Sequence, residues 1–184
     1  MTRASPVPPI FLTWRLTEAE MEERPKRILV IGVGNVHRGD DGVGILVVRL
    51  VRESVHGQLR TLEIPGEPLG MLDAWCEADQ VFIVDAIQSS DSTLGQVHRW
   101  DVHEAAVPAR EYRHSSHALS VAQVIELARS LGTLPPSAVV YGVRAGSFVP
   151  GEAPSPAVMA GAQEATDRII AEIRAPQTRF IGRS

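Results

Sequence analysis

The sequence predicts an α/β fold: a three-layer αβα sandwich on a mixed, mostly parallel central sheet of about five strands. Three observations predict it. Ile28 to Ile31 and Val81 to Val84 are unbroken, β-branched-rich apolar runs, as in strands covered on both faces. Segments with apolar residues at helical spacing alternate with such runs, so helices must lie over both sheet faces. The 184 residues fit one domain with a sizeable core and leave no length for a second.

The first 25 residues mix Pro6, Pro8, Pro9 and Pro25 with a charged run from Glu18 to Glu23, and read as an N-terminal extension or short lid. Residues 26–175 form the single expected domain, and residues 176–184 a C-terminal tail. After the first strand, Asp40 or Asp41 is placed to cap a helix carrying Val43, Leu46, Val47, Leu50 and Val51 to about Ser54. Gln58 to Ile64 alternates as a strand and stops at Pro65-Gly66. Pro68 suits a first helical turn with Leu69, Leu72 and Trp75 inward, and the strand Val81 to Val84 ends at Asp85. Gly95 to Trp100 follows too closely for a crossover helix and reads as antiparallel. Ser115-Ser116 is expected to cap a helix with Leu119, Val121, Val124, Ile125, Ala128 and Leu131, which Gly132 stops. Ala138 to Val143 is a late strand, and Ser155-Pro156 opens a last helix carrying Val158, Ala162, Ala165, Ile169, Ile170 and Ile173.

Composition narrows the function. With 18 basic and 22 acidic residues the net charge is −4 and no long basic stretch exists, so nucleic acid is not the expected partner. Cys76 is the sole cysteine, which excludes an intrachain disulfide and a multi-cysteine metal cluster and points to a reducing compartment, the cytoplasm. No apolar stretch is long enough to span a bilayer, and the first residues lack the basic-then-apolar pattern of a secretory signal. The expected partner is a protein or a small ligand.

The densest segment is Gly32-Val33-Gly34-Asn35, followed by Gly39-Asp40-Asp41-Gly42-Val43-Gly44, at the carboxyl end of a buried strand, where open α/β sheets bind ligands. A dinucleotide fingerprint needs its third glycine where His37 stands, and Asp40 and Asp41 would repel a pyrophosphate from the helix start. Asn35 is read as fixing the turn through its side-chain amide. Cys76 reads as a small buried apolar residue; a thiol protease pairing it with His117, or a serine triad at Ser115 or Ser116, lacks a supporting local motif.

These glycine-acid motifs resemble the opening signature of the hydrogenase maturation endopeptidases. Gly66-Glu67-Pro68 with Leu72-Asp73-Ala74-Trp75, then Val81 to Ala86, then Ser115-Ser116-His117-Ala118-Leu119 follow in that family's order over about residues 27 to 174. The resemblance implies an endopeptidase that removes a C-terminal extension from the large-subunit precursor of a nickel-iron hydrogenase after nickel insertion. It also implies a metal-contacting triad of two carboxylates and a histidine, of which Asp41 and His117 take the first and last places and serve as the catalytic pair. The loop after the second strand reads Glu63-Ile64-Pro65-Gly66-Glu67-Pro68, and Pro65, in simplest register, offers no side-chain ligand. Glu67 is the preferred middle ligand and Glu63 the reserve.

Two carboxylates and an imidazole suit nickel, borne by the substrate, or another divalent ion, and leave coordination positions open. The residue-level alternatives are ordinary ones: Asp41 as a cap, Asp40 as a cap or support for its neighbour, Glu67 as a solvated charge, His117 at a helix start, and Asp85 as a turn former or support for a ligand. His37, His56, His98, His103 and His114 receive no role, although His114 lies near the triad histidine in sequence. A non-catalytic chaperone or scaffold that binds the nickel-loaded subunit, or a hydrolase for an unrelated substrate, would use the same fold.

Overall fold

The computed structural model describes residues 25–55, 59–88, 93–109 and 119–175. All but the last residue of the expected extension over residues 1–25, and the tail over residues 176–184, lie outside the described residues. Strand β1 (Ile28–Val33) leads through a 3-10 turn (Gly39–Gly42) into helix α1 (Val43–Ser54) and strand β2 (Arg60–Ile64). A second 3-10 turn (Pro68–Gly70) continues into the short helix α2 (Met71–Ala74), strand β3 (Gln80–Ile87) and strand β4 (Val97–Asp101). Helix α3 (Val121–Leu131), strand β5 (Ser137–Arg144) and helix α4 (Pro156–Arg174) complete the domain.

The five strands lie in the order β2-β1-β3-β5-β4. β1, β2, β3 and β5 are mutually parallel, and β4 joins the edge antiparallel to β5, with Trp100 opposite Val140. The expectation of a mixed, mostly parallel sheet is met. Every residue of β1 and β3 is buried. Ile28, Val30, Phe82 and Val84 face α1 and α4, packing on Val47, Val51, Ala162 and Ile169. Leu29, Ile31, Val81 and Ile83 face the opposite layer, with Met71, Trp75, Val124 and Ile125. Helices on both faces thus explain why these strands read as continuous rather than alternating apolar runs.

Several local expectations change. Neither Asp40 nor Asp41 caps α1: its N-cap is Gly42 with no side-chain cap, and both aspartates are buried in the preceding 3-10 turn. The cap of α3 is Ser120, in a reciprocal capping box with Gln123; Ser115 and Ser116 lie outside the described residues. In the Pro68 segment Met71 takes the buried place expected for Leu69, which is 42% exposed. β3 continues two residues beyond Asp85, which is therefore inside a strand rather than at its end. The Gly132 stop and the Ser155-Pro156 start are as expected: Gly132 is left-handed at φ 68, and the Ser155 side chain accepts from Val158 N–H. Among the described residues no helix is long and apolar enough to cross a membrane.

Helix α1 lies close on the sheet because two glycines face each other. A Cβ on Gly32 would sit 2.1 Å from the Gly44 carbonyl oxygen, and one on Gly44 would sit 2.2 Å from that of Val33 and 2.4 Å from that of Val84. Backbone on both sides leaves nothing flexible to move aside. Gly44→Ala is therefore expected to destabilise the fold by about 3 kcal/mol or more. Gly70→Ala, where nothing lies within 4 Å, is expected to be neutral. Thermal unfolding followed by circular dichroism compares the two, and equal midpoints would refute the packing argument.

Candidate functional site at the carboxyl edge of the sheet

The turn after β1 is built to bury acids. Asn35 Oδ1 accepts the His37 N–H at 2.9 Å, and the Asn35 carbonyl accepts the Arg38 N–H at 3.1 Å, so Asn35 fixes the turn as its type suggests. Gly34 is left-handed at φ 138, and a Cβ there would sit 1.9 Å from the Asp41 carbonyl oxygen. The chain can fold back over the end of β1 only because that residue has no side chain.

Asp40 and Asp41, adjacent in sequence, meet different surroundings. Asp40 Oδ2 accepts the N–H groups of Gly146 at 2.9 Å and Ser147 at 3.0 Å, and Oδ1 accepts that of Ser155 at 2.7 Å. Its own N–H donates to the Ser147 carbonyl at 2.9 Å. Burial works against the charge, but the amides of Ser155, Ser147 and Gly146 outweigh it and hold the carboxyl below its usual range. Asp40 thus ties the first acidic turn to the loop between β5 and α4. Asp41, 7% exposed, has Oδ2 3.7 Å from Arg38 Nη1.

Asp85 is an acid that the charge of Asp41 reaches. It lies in a lateral row of the sheet with Gly142 and His98, on the face covered by α2 and α3. Its Oδ1 accepts the N–H of the next residue, Ala86, at 2.8 Å. Burial pushes its carboxyl well above the ordinary aspartate range; the Ala86 hydrogen bond opposes this, and the charge of Asp41 adds to it. The site therefore holds two buried carboxylates close enough to feel each other. The sequence signal for Asp85 was available, since a lone acid inside the apolar run Val81 to Ile87 carries a desolvation penalty that calls for a reason.

The two middle-ligand candidates separate. Glu63 faces α1, where Arg49 Nη2 at 2.8 Å and Arg52 Nη2 at 2.9 Å pair with its two oxygens, and the Arg49 hydrogen bond leads in holding its carboxyl down. It serves an ion-pair cluster on the edge strand. Glu67 is exposed in the loop after β2. That loop leaves the same sheet edge as the Asp40-Asp41 turn, because β1 and β2 are parallel neighbours. His117, with His114, lies outside the described residues, and among the described residues no group of three His, Cys, Asp or Glu side chains converges as a metal site. Cys76 is exposed rather than buried, and its Sγ lies 3.1 Å from the Leu72 carbonyl. It stands four positions before Gln80, at the opposite edge of the sheet from Asp41.

Fold and site together define a class: a three-layer α/β protein with a buried acidic centre at the carboxyl edge of its sheet. The hydrogenase maturation protease family model matches residues 66–173, and the chain belongs to that family. It is thereby an enzyme, a peptide hydrolase of the hydrogenase maturation type. It is 27% identical over 151 residues to the hydrogenase 2 maturation protease of Escherichia coli (strain K12), covering 80% of this chain and 91% of the relative. The solved structure of the hydrogenase maturating endopeptidase HybD from E. coli superposes with a TM-score of 0.69 at 28% identity, over 80% of this chain and 92% of that one. A NiFe hydrogenase maturation protease HycI from Thermococcus kodakarensis KOD1 gives 0.60 at 28% identity, with the same coverage.

Opposite shifts predict opposite stability effects. Asp40, with a lowered carboxyl, stabilises the fold above the ordinary aspartate range, and this is lost as pH falls through its lower folded value. Asp40→Ala leaves the amides of Gly146, Ser147 and Ser155 without their acceptor and should cost roughly 3 kcal/mol at neutral pH. The deficit should shrink in acid, and a deficit that is constant with pH would refute this role. Asp85, with a raised carboxyl, favours folding below the ordinary range, and that advantage is lost as pH rises through its higher folded value. Asp85→Asn should therefore raise the unfolding midpoint at neutral pH, with the gain fading toward acid. A lower midpoint at neutral pH would contradict the buried-charge assignment.

Proposed function

We propose that this chain removes the C-terminal extension of a nickel-iron hydrogenase large-subunit precursor after nickel insertion, and that it recognises the nickel carried by the precursor through a carboxylate and histidine cluster. The observation that carries this reading is the shared burial of Asp41 and Asp85 at the carboxyl edge of the sheet. Two carboxylates in a low-dielectric setting repel each other, so the pair favours a proton or a cation between its members. A divalent ion delivered by the client neutralises both at once. Until it arrives, proton uptake by Asp85 is the alternative.

Asp41 and His117 take the first and last ligand places in this reading, as the family resemblance implies, and Asp85 joins Asp41 on grounds of burial and charge. Glu67 is the third carboxylate within the same edge, at its solvent side. Oxygen donors with one imidazole suit nickel and leave positions open for the precursor's own ligands. Cleavage then needs a water and a scissile carbonyl polarised next to the ion, with Asp41 or Asp85 accepting the proton of the attacking water. Asp40 takes no part in proton transfer; its carboxylate is committed to three amides and fixes the turn that carries Asp41. The nickel acts as a licence, so that only a loaded precursor is cut. The lone cysteine and a sequence of net charge −4 with no long basic stretch agree with action on a protein client in the cytoplasm.

Incubating nickel-loaded precursor with the protein and weighing the products by mass spectrometry tests the reading. Asp41→Asn, Asp85→Asn and His117→Ala are each expected to slow peptide release by about 100-fold or more. Glu63→Gln should stay within about twofold of wild type, and Glu67→Gln reports whether the solvent-side acid belongs to the cluster. Nickel-free precursor should remain uncut. Undiminished cleavage by both aspartate variants overturns the assignment, and a stable, unclipped complex with the wild type would make the protein a binder.

A further inference from the structure

The proposed reaction brings a large partner to the acidic edge, and the surface around that edge is apolar. Among the described residues, Val36, Leu69, Leu94 and Val149 are exposed large apolar side chains at 37%, 42%, 40% and 51%, and all four lie in loops on the carboxyl edge of the sheet. The other three exposed ones lie on helices: Leu127 and Leu131 on α3, which runs toward the other edge, and Met159 in the second turn of α4. Exposed apolar side chains gathered at one place mark a surface that is covered when the protein works.

The geometry singles out three of the four. The loop carrying Val36 and the loop carrying Val149 are joined by backbone hydrogen bonds: Gly151 N–H to the His37 carbonyl at 2.8 Å, Gly39 N–H to the Glu152 carbonyl at 3.1 Å, and Asp40 N–H to the Ser147 carbonyl at 2.9 Å. The Asp40 carboxylate adds its contacts to Gly146 and Ser147 in the same loop. Leu94 lies over this junction, since a Cβ on Gly146 would sit 2.9 Å from Leu94 Cδ1 and 3.6 Å from Asp40 Oδ2. The segment bearing Leu94 is itself fixed by Gly95 N–H to the Arg144 carbonyl at 2.8 Å. The apolar groups are therefore held on the same rigid backbone as Asp41, and little ordering is left to be done on contact.

We infer that Val36, Leu94 and Val149 form an apolar docking collar beside the Asp40-Asp41 turn, and that its occupant is the chain of the precursor next to the nickel that it carries. This rests on the reading that a nickel-bearing precursor visits Asp41. Charge complementarity argues for that occupant: the carboxyls of Asp41 and Asp85, buried beside the collar, favour a segment that carries a cation over an acidic one. The collar supplies the apolar half of the same contact, so ion and chain are recognised together and neither alone is held well.

The test uses the full chain and nickel-loaded precursor, with dissociation constants measured alongside KM and kcat. Val149→Asp and Leu94→Ser are each expected to raise KM about tenfold with kcat within about twofold and an unchanged unfolding midpoint. Leu131→Ser should behave as wild type. Unchanged KM in both collar variants overturns the inference. If the wild type binds precursor without cutting it, the endopeptidase reading fails by itself, and the collar is then judged on binding: a dissociation constant about tenfold weaker in Val149→Asp supports it and an unchanged one overturns it. Loss of concentration-dependent self-association in sedimentation, with unchanged KM, assigns the patch to a second copy of this chain and also overturns it.

Discussion

The site depends on how closely α1 approaches the sheet. Gly32 in β1 and Gly44 in the first turn of α1 meet backbone against backbone, with no room for a side chain on either. With the helix start pinned against β1 and β3, the preceding 3-10 turn has to lie over the strand ends, and its two aspartates are carried into a buried place. The glycines that suggest a nucleotide fingerprint thus serve helix-to-sheet packing. In a phosphate-binding turn, free amides await an external anion. Here the anion is internal: the carboxylate of Asp40 collects amides from the loop after β5 and leaves the neighbouring acid for other work.

That division follows from environment. Asp40 is buried and fully supplied with donors, so its charge is stable where it sits. Asp85 is buried with a single amide donor and a like charge nearby, so its charge is unstable where it sits. Carboxylates whose surroundings push them apart in this way take different roles, one structural and one chemical. The instability at Asp85 is sustainable because the core on both faces of β3 and the Asp40 junction hold the surrounding fold.

Much of this was legible in the sequence where local rules decide. The continuous apolar runs of β1 and β3, the helical stripe of α1, the Gly132 stop and the Ser155-Pro156 start follow from side-chain spacing and backbone preference, and the structure has them where expected. The glycine-acid turn lies at the carboxyl edge of the sheet, where its place after β1 put it. What was not legible depended on tertiary partners. Asp40 and Asp41 are good capping residues, yet the donors that claim Asp40 lie more than a hundred residues away. Met71 rather than Leu69 turns inward because a 3-10 turn precedes the helix and shifts the phase of the inward face. Glu63 looked available until Arg49 and Arg52 of α1 were seen across from it. Asp85 looked like a strand terminus because an acid ordinarily stops an apolar run, whereas β3 carries it through.

The sheet order explains why Asp85 on β3 is buried while Glu67 on the loop after β2 is exposed. β1 is flanked by β2 on one side and β3 on the other, so the turn after β1 can be met from either. β2 is an edge strand whose residues are half-buried or exposed, and a charge such as Glu67 beyond its end is screened by water. β3 is central and wholly buried, and its register with β1 is fixed by consecutive pairs from Ile28 opposite Gln80 to Gly32 opposite Val84. An acid one residue past that ladder is held in a low-dielectric place at constant offset from the end of β1, where burial dominates and the charge of Asp41 adds to it. A carboxylate on the loop after β2, such as Glu67, is exposed and lies outside any such ladder.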